Sequence, residues 1–281
     1  MKNKTIIALM TLILTTNIAL SQTTTVQKCS VHSTEVDSKN SVTALVEMLY
    51  EIEEKIAANE CNANNTLFVY DIDETVLSVN PQTQVVHGIR YSDEVIQALQ
   101  NEGISTLALT ARPVIVPEDA LELKELAKRY FQYEQQMSAE LMSEATFINS
   151  LQTRVSKLLA TQYKFAYSDL RQVGIQPEQG ATIFAKDLDF FLLDPNEDID
   201  YTDESSLSQL ILYSAGVILA SDQAKGAVLE RFLQLQKLDH HFTCIFYADD
   251  NGGHIKNMNH TFVNAPSIQL HSYHLPTAAL Q

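Results

Sequence analysis

The sequence predicts an α/β fold in which an open, mainly parallel sheet is flanked by helices and carries an inserted helical cap. Three observations predict it. Four short apolar runs each end abruptly in a polar or acidic residue, the mark of strands buried on both faces of a parallel sheet. Segments of helical period lie between them, and strands alternating with helices define this class. Between Pro117 and Gln172 there is no further Gly or Pro and much Ala, Leu, Glu, Lys, Gln and Met, so the stretch is helical and longer than a crossover needs. The composition agrees. A chain of 281 residues, 45% hydrophobic and 19% charged, forms one large or two modest globular domains, and 8 Gly with 7 Pro are too few for a small all-β barrel.

The elements follow in chain order. Met1-Lys2-Asn3-Lys4, the apolar run from Ile6 to Leu14 and the small residues around Ala19-Leu20-Ser21 are the three parts of a secretory signal peptide, expected to be removed as residues 1–21. Thr15, Thr16 and Asn17 cut that run short of the roughly 20 apolar residues of a membrane span, and no later segment reaches this length. The mature chain is therefore expected to be secreted or periplasmic, with no span. Residues 22–61 form an N-terminal segment, an aperiodic leader to about residue 40 followed by Val42, Leu45, Val46, Leu49, Ile52 and Ile56 at helical spacing. The core domain is expected over 62–112 and 165–281, with the cap at 113–164.

The four strand runs of the core are Thr66–Tyr70 ending at Asp71, Ile104–Leu109 ending at Thr110, Ala215–Ala220, and Phe242–Ala248 ending at Asp249-Asp250. The third leads into a helix carrying Lys225, Val228, Leu229, Phe232 and Leu233. Ligands of open α/β sheets bind at such carboxyl ends. The acidic stretch Asp194–Glu204 lacks the Gly and the twelfth-position Glu of a calcium loop and reads as solvated. In an oxidising compartment Cys29 and Cys61 could close a loop around the first helix, whereas Cys244, inside an apolar run, reads as a small buried hydrophobe. His240, His241 and His254 show no metal-ligand spacing and read as surface residues, and His87, in the turn after Val85-Val86, either overhangs the site or, the preferred reading, lies at the surface.

The charge balance excludes one class of partner. With 19 Lys+Arg against 35 Asp+Glu, a formal charge of -16 and no basic block, nucleic acid is not expected to bind.

The chemistry concentrates at the strand ends. The pattern Asp-x-Asp-x-Thr occurs twice, at Asp71–Thr75 and at Asp198–Thr202, but only the first follows a strand. If Asp71, Asp73, Asp249 and Asp250 meet, each pair of charges about 4 Å apart repels by about 4 kcal/mol at an intermediate dielectric, which a divalent cation relieves. An all-oxygen ligand set suits Mg2+, since zinc recruits His or Cys. A carboxylate is also a nucleophile toward phosphorus, and a second carboxyl two residues on can protonate the leaving group. Thr110 and Lys225 supply the hydroxyl donor and cation that a transferred phosphoryl group needs.

These residues carry a resemblance. Asp71-Ile72-Asp73-Glu74-Thr75, Leu109-Thr110-Ala111-Arg112, Lys225-Gly226 and Asp249-Asp250, in this order, resemble the four motifs of the haloacid dehalogenase superfamily, specifically its magnesium-dependent phosphatases. The resemblance covers about residues 62–281 and extends to secreted bacterial acid phosphatases and an uncharacterised secreted branch. It implies a Rossmann-like core. It further implies that Asp71 is nucleophile and Mg2+ ligand, and that Asp73 is the general acid/base and gives its main-chain carbonyl to the metal. Thr110 and Lys225 would bind phosphoryl oxygens, Asp249 would ligate Mg2+ and Asp250 would support it. Arg112 either joins the phosphate-binding group or pairs with a neighbouring carboxylate. The run Asn251-Gly252-Gly253-His254-Ile255-Lys256-Asn257 departs from the family's compact spacing, leaving Asp250, Asn251 and Asn257 as rival outer supports.

The expected function is thus hydrolysis of a small phosphomonoester through an aspartyl-phosphate. Two alternatives use the same fold: an exported binding protein acting on a protein partner through residues 113–164, and a phosphotransferase with an alcohol as acceptor.

Overall fold

Strand β2 (Thr66–Tyr70) is buried along its whole length, as a run of five residues without a solvent-facing alternate must be. Around it the computed structural model describes residues 32–35, 41–80, 82–116, 121–122, 124–125, 157, 161–184, 189–197, 204–265 and 267–275. The expected signal peptide, Cys29, most of the expected cap and the second Asp-x-Asp-x-Thr lie outside the described residues.

The other strands of the main sheet are β1 (His32–Glu35), β5 (Ser105–Thr110), β6 (Asp189–Phe191), β7 (Ile211–Ser214), β8 (Val217–Leu219), β9 (Cys244–Asp249) and β10 (Gln269–His274). They stand in the order β1-β10-β9-β2-β5-β8-β7-β6. From β1 to β8 every neighbouring pair is parallel, and only β7 breaks the pattern, antiparallel to both β8 and β6. A separate two-stranded hairpin pairs β3 (Leu77–Val79) with β4 (Val86–Gly88), directly after the first acidic motif.

Side-chain alternation along the strands sorts the core into two layers. Phe68 and Tyr70 of β2 and Phe246 and Ala248 of β9 join one cluster with α1 (Ser41–Ala57), α2 (Ser92–Asn101) and α3 (161–172). Leu67 and Val69, with Ile245 and Tyr247, join the other, packed on α6 (Lys225–Leu235) and α7 (Gly252–Phe262). In chain order the short helices α4 (Pro177–Gly180) and α5 (Glu204–Ser208) come between α3 and α6. No helix among the described residues is long and apolar enough to cross a membrane. The sequence leaves β2 for β5 on one side, and later returns through α6 to β9 on the other. The carboxyl end of β2 is therefore a topological switch point, where strand order opens a crevice.

Several expectations change. The leader before residue 40 contains β1, which extends the sheet by pairing with β10 from His32↔His271 to Glu35↔His274. The expected strand over 215–220 is the second arm of a tight hairpin. Ala215 (φ 40°) and Gly216 (φ 87°) form its turn, and a Cβ at Gly216 would lie 2.4 Å from the carbonyl oxygen of Pro177. Cys61 is bonded not to Cys29 but to Cys244, so Cys244 is buried, as expected, yet as half of a disulfide. The bridge is reachable because β2 and β9 are neighbours, which brings the turn after α1 against the start of β9 despite a sequence separation of 183.

Candidate functional site

The register that aligns Tyr70 with Ala248 carries both chains out of the sheet side by side, and the main-chain N–H of Asp71 donates to the Ala248 carbonyl at 2.9 Å. Asp71 and Asp249 thus leave neighbouring strands together. Both follow the strand parity that faces α6 and α7, and from that layer Lys225 reaches them. Its Nζ lies 2.5 Å from Asp71 Oδ1 and 2.7 Å from Asp249 Oδ2, with the ammonium wholly buried. Lys225 opens α6 with no side-chain cap on its own residue Ala224. Instead, Asn257 of α7 accepts the Gly226 N–H at 2.8 Å, and a Cβ at Gly226 would lie 2.4 Å from Thr261 Oγ1. Only glycine allows the two helices to approach this closely at the residue after the lysine.

Asp71, Asp249 and Asp250 each offer a carboxylate oxygen, and the three oxygens lie within 4.8 Å of one another. Among the described residues this is the group able to hold a metal ion. Three hard carboxylate donors fit a cation such as Mg2+, which retains waters in its remaining positions. The rival supports are otherwise engaged: Asn257 holds Gly226, and Asn251 caps α7 by accepting the Gly253 N–H at 2.8 Å. Asp250 is placed by Thr75, whose buried hydroxyl accepts the Asp250 N–H at 3.0 Å. The final residue of the first motif therefore positions the last one.

The two buried carboxylates differ electrostatically. Burial raises the Asp71 carboxyl to about 7, an effect that Lys225 opposes only in part and the neighbouring Asp249 and Asp73 reinforce. Burial also pushes Asp249 up, but hydrogen bonds from His254, Lys225 and Tyr247 outweigh it and hold the group below the usual carboxylate range. The opposite shifts beside one lysine follow from the donors: Asp249 has three side-chain donors and the Asn251 N–H at 2.8 Å. Tyr247, two residues earlier on the same strand face, is itself pushed far above its ordinary value by burial and by the Asp249 charge, so it serves as a donor.

A second network lies toward the α1–α3 layer. Arg112 grips Asp73 with two prongs, Nε to Oδ2 at 2.8 Å and Nη2 to Oδ1 at 2.6 Å, and reaches Asp169 of α3 from Nη1 at 2.8 Å. Burial alone would lower the Arg112 guanidinium, but the two carboxylates raise it further above its ordinary value. The described contacts of Arg112 are thus pairs with two carboxylates. Thr110 is buried and close to this network, with Oγ1 3.4 Å from Asp73 Oδ2 and accepting the Arg112 N–H at 3.2 Å. Asp73 stands outside the carboxylate triad because its side chain is turned toward Arg112.

Sequence reading missed Thr75, Tyr247, Asp169 and His254. For Tyr247 a signal existed, since it shares the strand parity of Asp249. His254, expected at the surface, instead places Nδ1 3.2 Å from both Asp249 oxygens. His87 and His240 are exposed, as expected; His241 is half-buried against Phe242 and the Asn64 carbonyl.

A family profile described as "Protein of unknown function (DUF2608)" matches residues 143–279, a span that includes Lys225, Asp249 and Asp250 but not Asp71 or Thr110. No curated protein matches the chain.

Proposed function

We propose that this protein is an exported Mg2+-dependent phosphatase of the haloacid dehalogenase type, acting on a small phosphomonoester. The observation that carries the reading is the convergence of Asp71, Asp249 and Asp250 around a wholly buried lysine at the switch point of a parallel sheet. Asp71, Asp249 and Asp250 would hold Mg2+, with the Asp73 carbonyl as a further oxygen. Bound there, the ion screens carboxylates from the incoming phosphate and polarises the phosphoryl oxygens.

A carboxylate oxygen of Asp71 bonds to phosphorus as the ester P–O bond breaks, and Asp73 gives the departing alkoxide its proton. The Asp73 side chain is 41% exposed, and its two-pronged pairing with Arg112 would open for it to hold the proton it gives. Water then attacks phosphorus, Asp73 takes back a proton, and the Asp71–phosphorus bond breaks to release inorganic phosphate. Lys225 and Thr110 stabilise the charge on the transferred group, with Lys225 turning from Asp249 toward phosphate. The Cys61–Cys244 bridge supports the export part of the reading, because the cytosol keeps such thiols reduced.

The test is phosphate release from an aryl phosphate and a phosphomonoester panel by the chain freed of residues 1–21, in Mg2+ and in chelator. We expect activity that chelator removes and that Asp71→Asn lowers by at least about 1000-fold. Undiminished turnover by Asp71→Asn, or folded metal-loaded protein inert across the panel, overturns the reading.

A further inference from the structure

We propose that His254 is a positioning residue that holds the Asp249 carboxylate in place for a divalent cation; the inference rests on the metal site of the proposed phosphatase. The Asp249 side chain is wholly buried, so every direction its oxygens take is decided by protein donors. Lys225 Nζ and the Tyr247 hydroxyl both bind Oδ2, and the Asn251 N–H binds Oδ1. Each of these holds a single oxygen. His254 Nδ1 lies 3.2 Å from Oδ1 and 3.2 Å from Oδ2, so it sits between the two. A donor shared by both oxygens loses its contacts when the carboxylate swings away on its Cα–Cβ bond, so it holds the whole group in place rather than favouring one oxygen.

That control matters because Asp249 serves two masters. One oxygen is engaged by Lys225, and a ligand oxygen must point toward those of Asp71 and Asp250. A carboxylate accepts and does not donate, so Nδ1 carries the hydrogen. Groups behind a metal ligand act in this way, fixing its orientation. The fold supplies the ring at the right place. Asn251 caps α7, whose first turn starts at Gly252, and the chain's reversal there folds His254 back over Asp249. His274 also contacts this turn, with Nε2 2.9 Å from the Asp250 carbonyl oxygen, whereas it is His254 that reaches the Asp249 carboxylate.

The experiment is Mn2+ binding, by calorimetry and electron paramagnetic resonance, to the chain freed of residues 1–21 and to His254→Leu and His254→Asn, with circular dichroism to establish folding. Asn places its Nδ2 the same number of bonds from Cβ as imidazole Nδ1 and can donate there. We expect His254→Leu to weaken Mn2+ binding by about ten- to a hundred-fold and His254→Asn to stay within about three-fold of wild type. Wild-type affinity in His254→Leu overturns the proposal. So does a His254→Asn protein as weak as His254→Leu, which would assign the ring a packing role. Folded wild-type protein that binds no Mn2+ overturns the underlying metal site, a failure seen in a different arm of the experiment.

Discussion

Two ion-pair networks meet at the same strand ends and obey different physics. Lys225 with Asp71 and Asp249 is sealed, the ammonium and the Asp249 carboxylate having no exposed surface. Arg112 with Asp73 and Asp169 stands at the rim, with side chains 17%, 41% and 22% exposed. A buried ion pair gains little net stability over apolar packing, yet losing one member leaves an unpaired charge that burial makes costly. A pair at the rim keeps water as an alternative partner and contributes roughly 1 kcal/mol or less. The sealed network is therefore an electrostatic platform shut off from water, and the rim network is the part that water reaches.

The contrast is sharpest on removing the cation of each network. Lys225→Met leaves Asp71 and Asp249 buried without their lysine and is expected to cost about 3–5 kcal/mol in urea unfolding in chelator, with part of the loss restored by Mg2+. A loss below about 1 kcal/mol would show that the platform is hydrated and the two networks equivalent.

Next in size is the far end of the same strands. The Cys61–Cys244 bridge joins segments 183 residues apart, and replacing both cysteines with Ser is expected to cost about 2–5 kcal/mol without changing Mn2+ affinity. Mass spectrometry of the unreduced protein should find these two cysteines, not Cys29, in one cross-linked peptide pair.

The third expectation concerns pH. The folded Asp71 carboxyl titrates near 7, above its unfolded value near 4, so between those limits the folded state keeps a proton the unfolded chain has lost. Its contribution to stability therefore declines as pH rises through that window, by up to about 1.4 kcal/mol per pH unit. The difference in urea midpoint between wild type and Asp71→Asn, taken at pH 5 and pH 7 in chelator, should reveal this decline, and Mg2+ should shrink it. Asp249, held low, titrates below the window.

The smallest structural effect is expected at the rim. Arg112→Ala should change unfolding free energy by less than about 1 kcal/mol while lowering phosphate release, because it frees Asp73 more than it disturbs the core. A stability loss matching that of Lys225→Met would erase the distinction between the networks.

How much of this was legible in the sequence depends on burial. The strands over 66–70, 105–110, 217–219 and 244–249 could be read because strands covered on both faces are apolar almost throughout and are followed or closed by polar residues. Strand β10 could not. Its buried stretch is Leu270, His271, Ser272 and Tyr273, and a polar-looking segment conceals a core position when its imidazole stacks on Phe246 at 4.7 Å. The hairpin of β3 and β4 was equally silent, since three residues per strand are too few to show a period.

By itself the sequence determined the α/β class, the strands whose ends carry Asp71, Thr110 and Asp249, and the helix that delivers Lys225. These follow from local rules: apolar runs, helical period and polar termination act within a few residues. Tertiary structure alone decided that Cys61 meets Cys244, that Arg112 grips Asp73 and Asp169, that Asn257 caps the helix of Lys225, and that His254 lies on Asp249. Each of these joins side chains through strand order or helix packing, and neighbourhood across a sheet is not written in the spacing of residues along a chain.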